Sequence, residues 1–258
     1  MSIIALITDY GKSDWFVGEM KGAIAGIAPH ATIIDITNDI EPGEVKSAAF
    51  SLLACYRTFP AATVFCVVVD PGVGTSRAAL AIKAGSYFFV GPDNGVLSWA
   101  LRNEPGREIR RVEYPDLLPK EISSTFHGRD IFGPVAAYLA KGIALEKTGP
   151  VISSMLEIPW REPIREDNRI TGFVVHIDRF GNAITTIDKN SVSVLPATSH
   201  VLLEKYGTEL PLCTHFQQVP SGQGLSYIGS SGYLEIAINN ANAAAIFGLH
   251  IDDKISVG

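Results

Sequence analysis

TVFCVVV, residues 63–69, is the stretch that decides the fold, because after its first residue it is apolar at every position. A strand that buries both of its faces has such an uninterrupted apolar run, which is typical of parallel sheets covered by helices on both sides. The run stops at Asp70 and continues into a loop with two glycines, DPGVGTSR, residues 70–77. We therefore expect a central strand of an α/β sheet with a polar loop at its carboxyl end.

Further apolar runs of strand length lie on both sides of this stretch. They are IIALIT (3–8), TIIDI (32–36), LAIKA (80–84) and SYFFVG (86–91). Helices are predicted over four segments, 16–27, 43–59, 95–103 and 130–142, the first of them because its apolar residues recur at helical spacing. Strands that alternate with helices in this way predict an α/β domain with a mostly parallel sheet.

Polar residues follow several of these strands at the point where each strand ends. They are Asp9 and Tyr10, Asn38 and Asp39, Asp70, and Asp93 and Asn94. In open α/β sheets, ligands bind beyond the carboxyl ends of the strands. The convergence of these side chains predicts a site at that edge of the sheet.

The character of the chain changes after a proline-bearing, charged segment, residues 158–169, which we interpret as a linker. Beyond it, β-rich runs with partial alternation follow one another, with turn residues between them. We therefore expect an α/β domain over residues 1–157 and a smaller all-β domain, a sandwich or a barrel-like sheet, over residues 170–258.

Composition and charge narrow the class of protein. The 258 residues are 47% hydrophobic and 19% charged, which suits globular domains with a substantial core. The net charge of −6 comes without a basic patch, so nucleic-acid binding is not expected, and no apolar run is long enough to span a membrane. Three cysteines without CxxC spacing favour reduced thiols and a cytoplasmic protein. The six histidines show no pairing typical of a metal site.

The loop DPGVGTSR has a functional and a structural interpretation. A Walker-type phosphate loop needs a Lys followed by Ser or Thr after its last glycine, and a dinucleotide fingerprint needs a third glycine, and both are missing. The alternative is a tight turn in which Asp70 caps a backbone N–H and Arg77 is solvated. The residues of the loop by themselves leave this choice open.

Other polar motifs have structural explanations as well. His127 in TFHGRDIFGP precedes a predicted helix, and a hydrogen-bonded imidazole at a helix start accounts for it. Asp9 ends a strand, where a carboxylate can also accept hydrogen bonds from two adjacent ribose hydroxyls. Asp14 can cap the first helix, and Asp178 with Asn182 suits a tight turn between two strands.

Six motifs of the chain, taken together and in order, carry a resemblance to a known family. They are TDYG, DPGVGTSR, PDNG, TFHGRD, IDRFGN and SSGYLEIAINNANAA. The chain resembles the S-adenosylmethionine (SAM) hydroxide adenosyltransferases, or SAM hydrolases, which are related to the fluorinases and chlorinases. The resemblance covers nearly the whole chain. It implies an N-terminal α/β domain, a C-terminal β-barrel-like domain, and a homotrimer with active sites between neighbouring subunits.

The resemblance also implies roles for individual residues. Asp70, Arg77 and His127 match the set that handles the nucleophilic water. The family's substrate-binding positions fall on Asp9 for the ribose hydroxyls, Asp14 and Asp178 near the methionine amino group, Asn182 at the adenine, and Ser230 at the methionine carboxylate. Two positions depart from the relatives, since Gly229 replaces the usual Asn and Ser231 stands where the fluorinase has an Arg.

The implied reaction is attack of water on the ribose C5′ of SAM, which yields adenosine and L-methionine. SAM is then the substrate, and neither a cofactor nor a metal is expected, because the sulfonium already activates the leaving group. Asp70 and His127 are polar groups that suit a bound water better than a halide. Hydrolysis is therefore the first hypothesis, and a SAM halogenase is the second. A non-catalytic SAM or adenosine sensor is the third, and a phosphate-processing enzyme is the fourth.

Overall fold

The computed structural model describes residues 2–196 and 199–258. The chain divides into two compact units, Met1–Ile158 and Pro159–Gly258. The first unit contains helices and a mixed sheet, and the second consists mainly of antiparallel strands.

The first unit is built on a six-stranded sheet. Its strands are β1 (Ile3–Thr8), β2 (Thr32–Thr37), β3 (Val64–Val68), β4 (Ala79–Ala84), β5 (Tyr87–Pro92) and β6 (Glu108–Arg111). They lie in the order β2-β1-β3-β5-β4-β6, in which the first four strands are parallel and β4 is antiparallel to both of its neighbours. The expectation of a mostly parallel sheet in an α/β domain is confirmed.

Helices cover both faces of this sheet, as the apolar run at 63–69 predicts. The helices are α1 (Phe16–Ile27), α2 (Val45–Cys55), α3 (Ser98–Leu101) and α4 (Gly133–Ala140). Along β3, Val64, Cys66 and Val68 pack into one core with residues of α1 and α4. Phe65 and Val67 alternate with them and pack into a second core with residues of α2 and α3. A strand with two buried faces results.

Two of the predicted helices differ in detail from the structure. The third is a single turn, Ser98–Leu101, instead of 95–103. The fourth begins with a π-helical turn, Gly128–Phe132, and becomes α-helical only from Gly133. Single π-turns inside helices occur frequently at functional sites, and this one directly follows His127.

The strand order decides which loops meet. The chain leaves β1 to form β2 on one side and returns to form β3 on the other, so the order reverses between β1 and β3. In α/β sheets such a switch point opens a crevice at the carboxyl ends of the strands. Asp9 follows β1 and Asp70 lies just past β3, at neighbouring strand ends.

The second unit is an antiparallel, nearly closed barrel-like sheet. Its strands are β7 (Ile164–Glu166), β8 (Arg169–Ile177), β9 (Ala183–Asp188), β10 (His200–Leu203), β11 (Thr208–Pro211), β12 (Gly224–Ile228), β13 (Tyr233–Ile238) and β14 (Lys254–Val257), and its helices are α5 (Lys189–Val192) and α6 (Ala243–Phe247). The order is β11-β10-β14-β8-β9-β13-β12, with β7 paired to β8. A bridge between Leu212 and Ser226 links the two outer strands. The predicted all-β, barrel-like architecture is confirmed, and the segment expected as a linker contributes β7.

Candidate active site

The loop after β3 brings Asp70 and Arg77 into a forked ion pair. Nε of Arg77 donates to both carboxylate oxygens of Asp70 at 3.0 Å each, and Nη2 donates to Oδ2. Both side chains are largely buried, with 5% of Asp70 and 11% of Arg77 exposed. Charge-assisted hydrogen bonds in this planar arrangement are stronger than neutral ones, and they also fix the relative orientation of the two side chains. Among the described residues, the Asp70 side chain bonds Arg77 and no backbone N–H, so it does not cap the turn, and Arg77 is not a solvated residue.

His127 joins this pair from a distant part of the chain. Its Nδ1 lies 2.6 Å from Nη2 of Arg77, although 50 positions separate the two residues. A guanidinium has only donors, so Nδ1 of His127 presents a lone pair and carries no proton. The Arg77 guanidinium also lies over the Phe132 ring, 5.0 Å from its centre. The three residues thus form one contiguous polar group, and Nη1 of Arg77 lies outside these contacts.

The surroundings of His127 keep its imidazole neutral. Burial and the neighbouring Arg77 cation lower the pKa of His127 below its ordinary value of 6.5. The charges of Asp70 and Asp130 and a hydrogen bond to the Ser123 backbone act in the opposite direction without cancelling this effect. Only a neutral ring can accept the hydrogen bond from Arg77.

Gly74 is the point where the loop 70–77 meets the loop that carries His127. Its φ of +79° lies in the left-handed region, and a Cβ at this position would collide with the backbone carbonyl of Ser124. Glycine is the residue that combines this conformation with such a close approach. Gly74, the second glycine of DPGVGTSR, therefore lets two loops of the protein pack against each other.

A second close contact lies on the other side of His127. Gly128 packs so tightly against the Tyr10 hydroxyl that a Cβ at Gly128 would collide with it. The Tyr10 ring is in edge-on contact with Phe126, at 5.7 Å between ring centres. Burial raises the pKa of the Tyr10 phenol, which therefore stays protonated. His127 is held between two residues, Phe126 and Gly128, that are both fixed by Tyr10.

Asp9 directly follows β1 and is half-buried. Its Oδ2 accepts a hydrogen bond from the backbone N–H of Gly43 at 3.0 Å. Burial raises the pKa of Asp9 above its ordinary value, and the negative charge of Asp70 adds to this effect, against the hydrogen bond from Gly43. A partly desolvated carboxylate with free lone pairs is suited to accept donors from a ligand, such as two adjacent hydroxyls.

Asp14 lies in an exposed segment, residues 12–15, immediately before α1. The prediction that Asp14 caps this helix is wrong, because Trp15 is the N-cap residue and no side-chain hydrogen bond caps the helix. The structure does not join Asp14 to the group formed by Asp70, Arg77 and His127.

In the second unit, Asp178 and Asn182 lie together in the tight turn between β8 and β9. Oδ1 of Asp178 accepts from the backbone N–H groups of Phe180 and Asn182, and Oδ2 accepts from the Asn182 side-chain amide, each at 2.9 Å. The tight turn expected from the sequence is present. These bonds orient the Asn182 amide so that its nitrogen faces Asp178. The amide oxygen takes no part in them.

Ser230 is exposed in the turn between β12 and β13, next to Gly229. A Cβ at Gly229 would collide with the carboxylate of Glu235. Glu235 is only 7% exposed and accepts a hydrogen bond from the Tyr227 hydroxyl at 2.5 Å. Burial raises the pKa of Glu235, and the charge of Asp178 contributes to this rise. The missing side chain at Gly229 thus leaves the space that Glu235 occupies.

The next residue of that turn, Ser231, has a buried hydroxyl with no hydrogen-bond partner in the part of the chain that the structure describes. A buried hydroxyl without a partner costs free energy, and a polar group of a ligand would remove that cost. The turn 229–232 therefore combines one exposed and one buried serine hydroxyl.

In residues 2–196 and 199–258, no group of three or more His, Cys, Asp or Glu side chains is arranged to hold a metal ion. No helix in these ranges has both the length and the apolar character needed to cross a membrane.

Two further residues at the carboxyl edge of the sheet have structural roles. The Asn94 amide donates to the carbonyl of Val69 at 2.8 Å, next to Asp70, and Asp93 accepts from the Leu156 N–H at 2.7 Å.

Sequence reasoning missed Asp130 as a residue of the site, although it belongs to the motif TFHGRD. Its carboxylate is buried and bonds the backbone of Ser123 in the loop ahead of His127.

Comparisons with known proteins find similarity over both units of the chain. Residues 4–149 match the sequence model of the SAM hydroxide adenosyltransferase N-terminal domain, and residues 172–256 match that of the C-terminal domain. A protein of Thermus thermophilus named (R)-S-adenosyl-L-methionine hydrolase is 36% identical over 256 residues, covering 96% of each chain. A fluorinase of Nocardia brasiliensis is 28% identical over 295 residues, covering 99% of this chain and 96% of its own.

A solved structure has the same fold over the full length. The crystal structure of a conserved protein from Thermotoga maritima superimposes with a TM-score of 0.93 at 37% identity, covering 99% of this chain and 100% of its own. The sequence and structural similarities therefore extend over both units.

Proposed function

Because the chain belongs to the SAM hydroxide adenosyltransferase family, we propose that it is an enzyme that hydrolyses S-adenosyl-L-methionine to adenosine and L-methionine. Water attacks the ribose C5′, the C5′–S bond breaks, and its electron pair neutralises the sulfonium as methionine leaves. One proton of the water is released. Relatives at 36% identity, from Thermus thermophilus and Salinispora tropica, are named as hydrolases of the (R) form. We propose the same sulfonium epimer as the substrate here.

The contact set of Asp70, Arg77 and His127 is the observation that carries the proposal. Water is a poor nucleophile at neutral pH, so a positioned acceptor for its proton and a cation beside the developing hydroxide both accelerate the attack. Nη1 of Arg77 is outside the contacts to Asp70 and His127, which leaves its N–H groups for the water. A fixed guanidinium in a partly buried site acts more strongly than one in bulk water.

Asp70 is the proton acceptor in this proposal. The Nδ1 lone pair of His127 accepts from Arg77, so His127 has no spare acceptor for a proton from water. A carboxylate can accept about four hydrogen bonds, so Asp70 retains capacity beyond those donated by Arg77. We assign His127 the role of holding the Arg77 guanidinium.

The substrate-binding roles follow the family resemblance. Asp9 accepts the ribose hydroxyls, which is supported by its half-buried carboxylate, whose Oδ2 accepts from the Gly43 N–H. Asp14, Asp178, Asn182 and Ser230 are proposed for the methionine and adenine parts. The oxygen of the Asn182 amide, which lies outside the bond to Asp178, and the Ser231 hydroxyl, which has no partner among the described residues, support polar contacts there. No cofactor or metal is needed, because the sulfonium is already a good leaving group.

Incubation of the purified protein with SAM in oxygen-18 water tests the reaction. We expect label in the 5′-hydroxyl of adenosine, with the (R) epimer consumed and the (S) epimer spared. Release of adenine, or unlabelled adenosine, contradicts attack at C5′. A 5′-halo-5′-deoxyadenosine formed in chloride or fluoride buffer would instead assign the chain to the halogenases, and tight binding without turnover would make it a sensor.

Acid is expected to inactivate the enzyme with a midpoint below pH 6.5, set by His127. A protonated Nδ1 becomes a donor facing the Arg77 cation, so the contact set opens. Because the pKa of His127 is lower in the folded protein than its ordinary value of 6.5, the unfolded chain takes up this proton first. Proton uptake by His127 in the unfolded chain therefore also lowers the free energy of unfolding as the pH falls below 6.5.

The measurement is the pH profile of kcat together with thermal unfolding at each pH, for the native protein and His127→Asn. The variant cannot titrate at this position, so its residual activity should lose this acidic limb. A midpoint above pH 6.5, or the same limb in His127→Asn, contradicts the assignment.

A homotrimer with active sites at subunit interfaces and a cytoplasmic location remain proposals. The family resemblance supports the trimer, and three free cysteines support a reducing compartment. Light scattering coupled to size-exclusion chromatography measures the mass in solution, and a mass of one or two chains contradicts the trimer.

A further inference from the structure

We infer that Asp130 is a positioning residue for the hydrolytic site: its buried carboxylate ties the backbone N–H of Ser123 to the turn that follows His127, and this holds the intervening loop so that Nδ1 of His127 faces Arg77. The inference deepens the proposed function, on which its kinetic readout rests. Its structural readout, the tautomer of His127, is independent of any reaction.

The carboxylate of Asp130 accepts three hydrogen bonds from nearby donors. Oδ2 accepts from the backbone N–H of Ser123 at 2.8 Å, and Nε of Arg129 donates to Oδ1 at 2.7 Å. Nη2 of Arg129 adds a bond to Oδ2 at 3.0 Å. The Asp130 side chain is 7% exposed. Burial opposes its charged form, but the bonds from Arg129 and Ser123 outweigh burial and lower the pKa of Asp130.

The bond from Ser123 to Asp130 spans the loop that contains His127. The same loop is tightened by the Thr125 N–H, which donates to the Ser123 hydroxyl at 3.2 Å, and by the Asp130 N–H, which donates to the Phe126 carbonyl at 3.2 Å. Ser123 therefore has little freedom to move relative to the π-helical turn that begins at Gly128.

The loop that Asp130 holds carries His127 to Arg77. Nδ1 of His127 lies 2.6 Å from Nη2 of Arg77 and accepts its hydrogen bond, so the proton of the neutral ring is on Nε2. Release of the Ser123 N–H from Asp130 would free this loop, and the imidazole would no longer be held against Arg77.

The charged groups that face the ring are Arg77, Asp70 and Asp130. Asp130→Ala removes both the acceptor and the charge, whereas Asp130→Asn keeps an acceptor for the Ser123 N–H but removes the charge and part of the pairing with Arg129. The two variants therefore separate positioning from electrostatics.

The test is long-range proton–nitrogen NMR of the full-length protein labelled with nitrogen-15 histidine, with the His127 signal assigned from His127→Asn. We expect the Nε2–H tautomer in the native protein and in Asp130→Asn, and a mixture of tautomers in Asp130→Ala. In Asp130→Asn the pKa of His127 should fall further, because a neighbouring negative charge is lost. Adenosine release by Asp130→Ala should show kcat lowered about 10- to 100-fold, the scale for losing such a supporting partner, with KM within about threefold because Asp130 is assigned no substrate contact.

Glu104→Gln is the matched control. Glu104 is also a buried carboxylate, 12% exposed, that pairs an arginine, Arg57 at 2.9 Å, and accepts a second hydrogen bond, from Tyr56 at 2.6 Å, but it lies outside the site. This variant should lose thermal stability without changing the His127 tautomer or kcat.

An Nδ1–H tautomer in the native protein, or an unchanged tautomer and kcat in Asp130→Ala, overturns the inference. Should Asp130→Ala fail to fold, an Nδ1–H tautomer in Asp130→Asn, which keeps an acceptor for the Ser123 N–H, overturns it. If the native protein releases no adenosine, the proposed hydrolysis fails while the tautomer measurement still decides the role of Asp130.

Discussion

Arg77→Ala will lower the rate of adenosine release from SAM by about a hundredfold or more, the scale of losing one positioned charge-stabilising group. The guanidinium is the centre of the contact set, because it bonds the Asp70 carboxylate and the His127 imidazole at the same time. Its loss removes the cation beside the developing hydroxide. Binding of SAM, measured by calorimetry, should survive better than turnover, because Arg77 is not assigned to the substrate.

The substitution also affects folding. Asp70 is 5% exposed, and removing one partner of a buried ion pair costs about 3–5 kcal/mol of stability. Turnover must therefore be measured well below the thermal unfolding midpoint of the variant. Arg77→Lys addresses the same point, because an ammonium keeps the charge but cannot donate in a fork to Asp70 and also reach His127. We expect this variant to fold and still lose roughly tenfold to a hundredfold in kcat.

Arg110→Ala is the matched control for Arg77→Ala. Arg110 lies in the same unit, is 14% exposed, and pairs with Glu108 at 2.6 Å and with the Gly149 carbonyl at 2.8 Å. Its loss should reduce stability and leave kcat unchanged in the folded protein. Equal kcat losses in the two variants, or native turnover in Arg77→Ala, would remove Arg77 from the chemistry.

Gly74→Ala is expected to reduce kcat by about a hundredfold, the loss that a displacement of about 1 Å produces in an active site. The φ of +79° at Gly74 costs an alanine about 1–2 kcal/mol. The new methyl group also collides with the Ser124 carbonyl, and overpacking of this kind costs about 1–3 kcal/mol. The loops carrying Arg77 and His127 must then move apart, which lengthens the 2.6 Å contact between them.

Gly106→Ala separates strain from displacement. Gly106 lies in the same unit with a φ of +64°, and a Cβ there would meet no atom within 4 Å. This variant should lose only the stability due to backbone strain and retain full turnover. If thermal unfolding and kcat are the same for Gly74→Ala and Gly106→Ala, the packing of Gly74 against Ser124 has no functional role.

Local patterns account for the elements of the fold that could be predicted. The run at 63–69 forms a strand buried on both faces, because the burial of each position depends on its own apolar side chain. The direction of β4 was beyond such reasoning, since LAIKA has the composition of a buried strand in either orientation. The π-helical turn at Gly128–Phe132 was not predicted for a similar reason, because its sequence is compatible with an ordinary helix start.

Some residues of the site could be predicted from the sequence, and others could not. The six motifs pointed to Asp70, Arg77 and His127 through a family resemblance, but the residues of the loop 70–77 alone left a plain turn equally open. The structure decides in favour of a contact set, because Arg77 bonds residues 7 and 50 positions away. Asp130 was missed because it acts through a backbone N–H, and no side-chain pattern records where a peptide group lies.

By itself, the sequence determined an α/β domain followed by a smaller all-β domain, a family resemblance, and the residue types available for chemistry. These follow from apolar periodicity, turn residues and motif order, which are properties of neighbouring positions. Only the tertiary structure decided that Gly74 packs on Ser124, that Gly229 leaves space for Glu235, and that one imidazole nitrogen faces Arg77. Such contacts depend on strand order and on backbone atoms brought together from distant segments, so the identity of the individual residues cannot specify them.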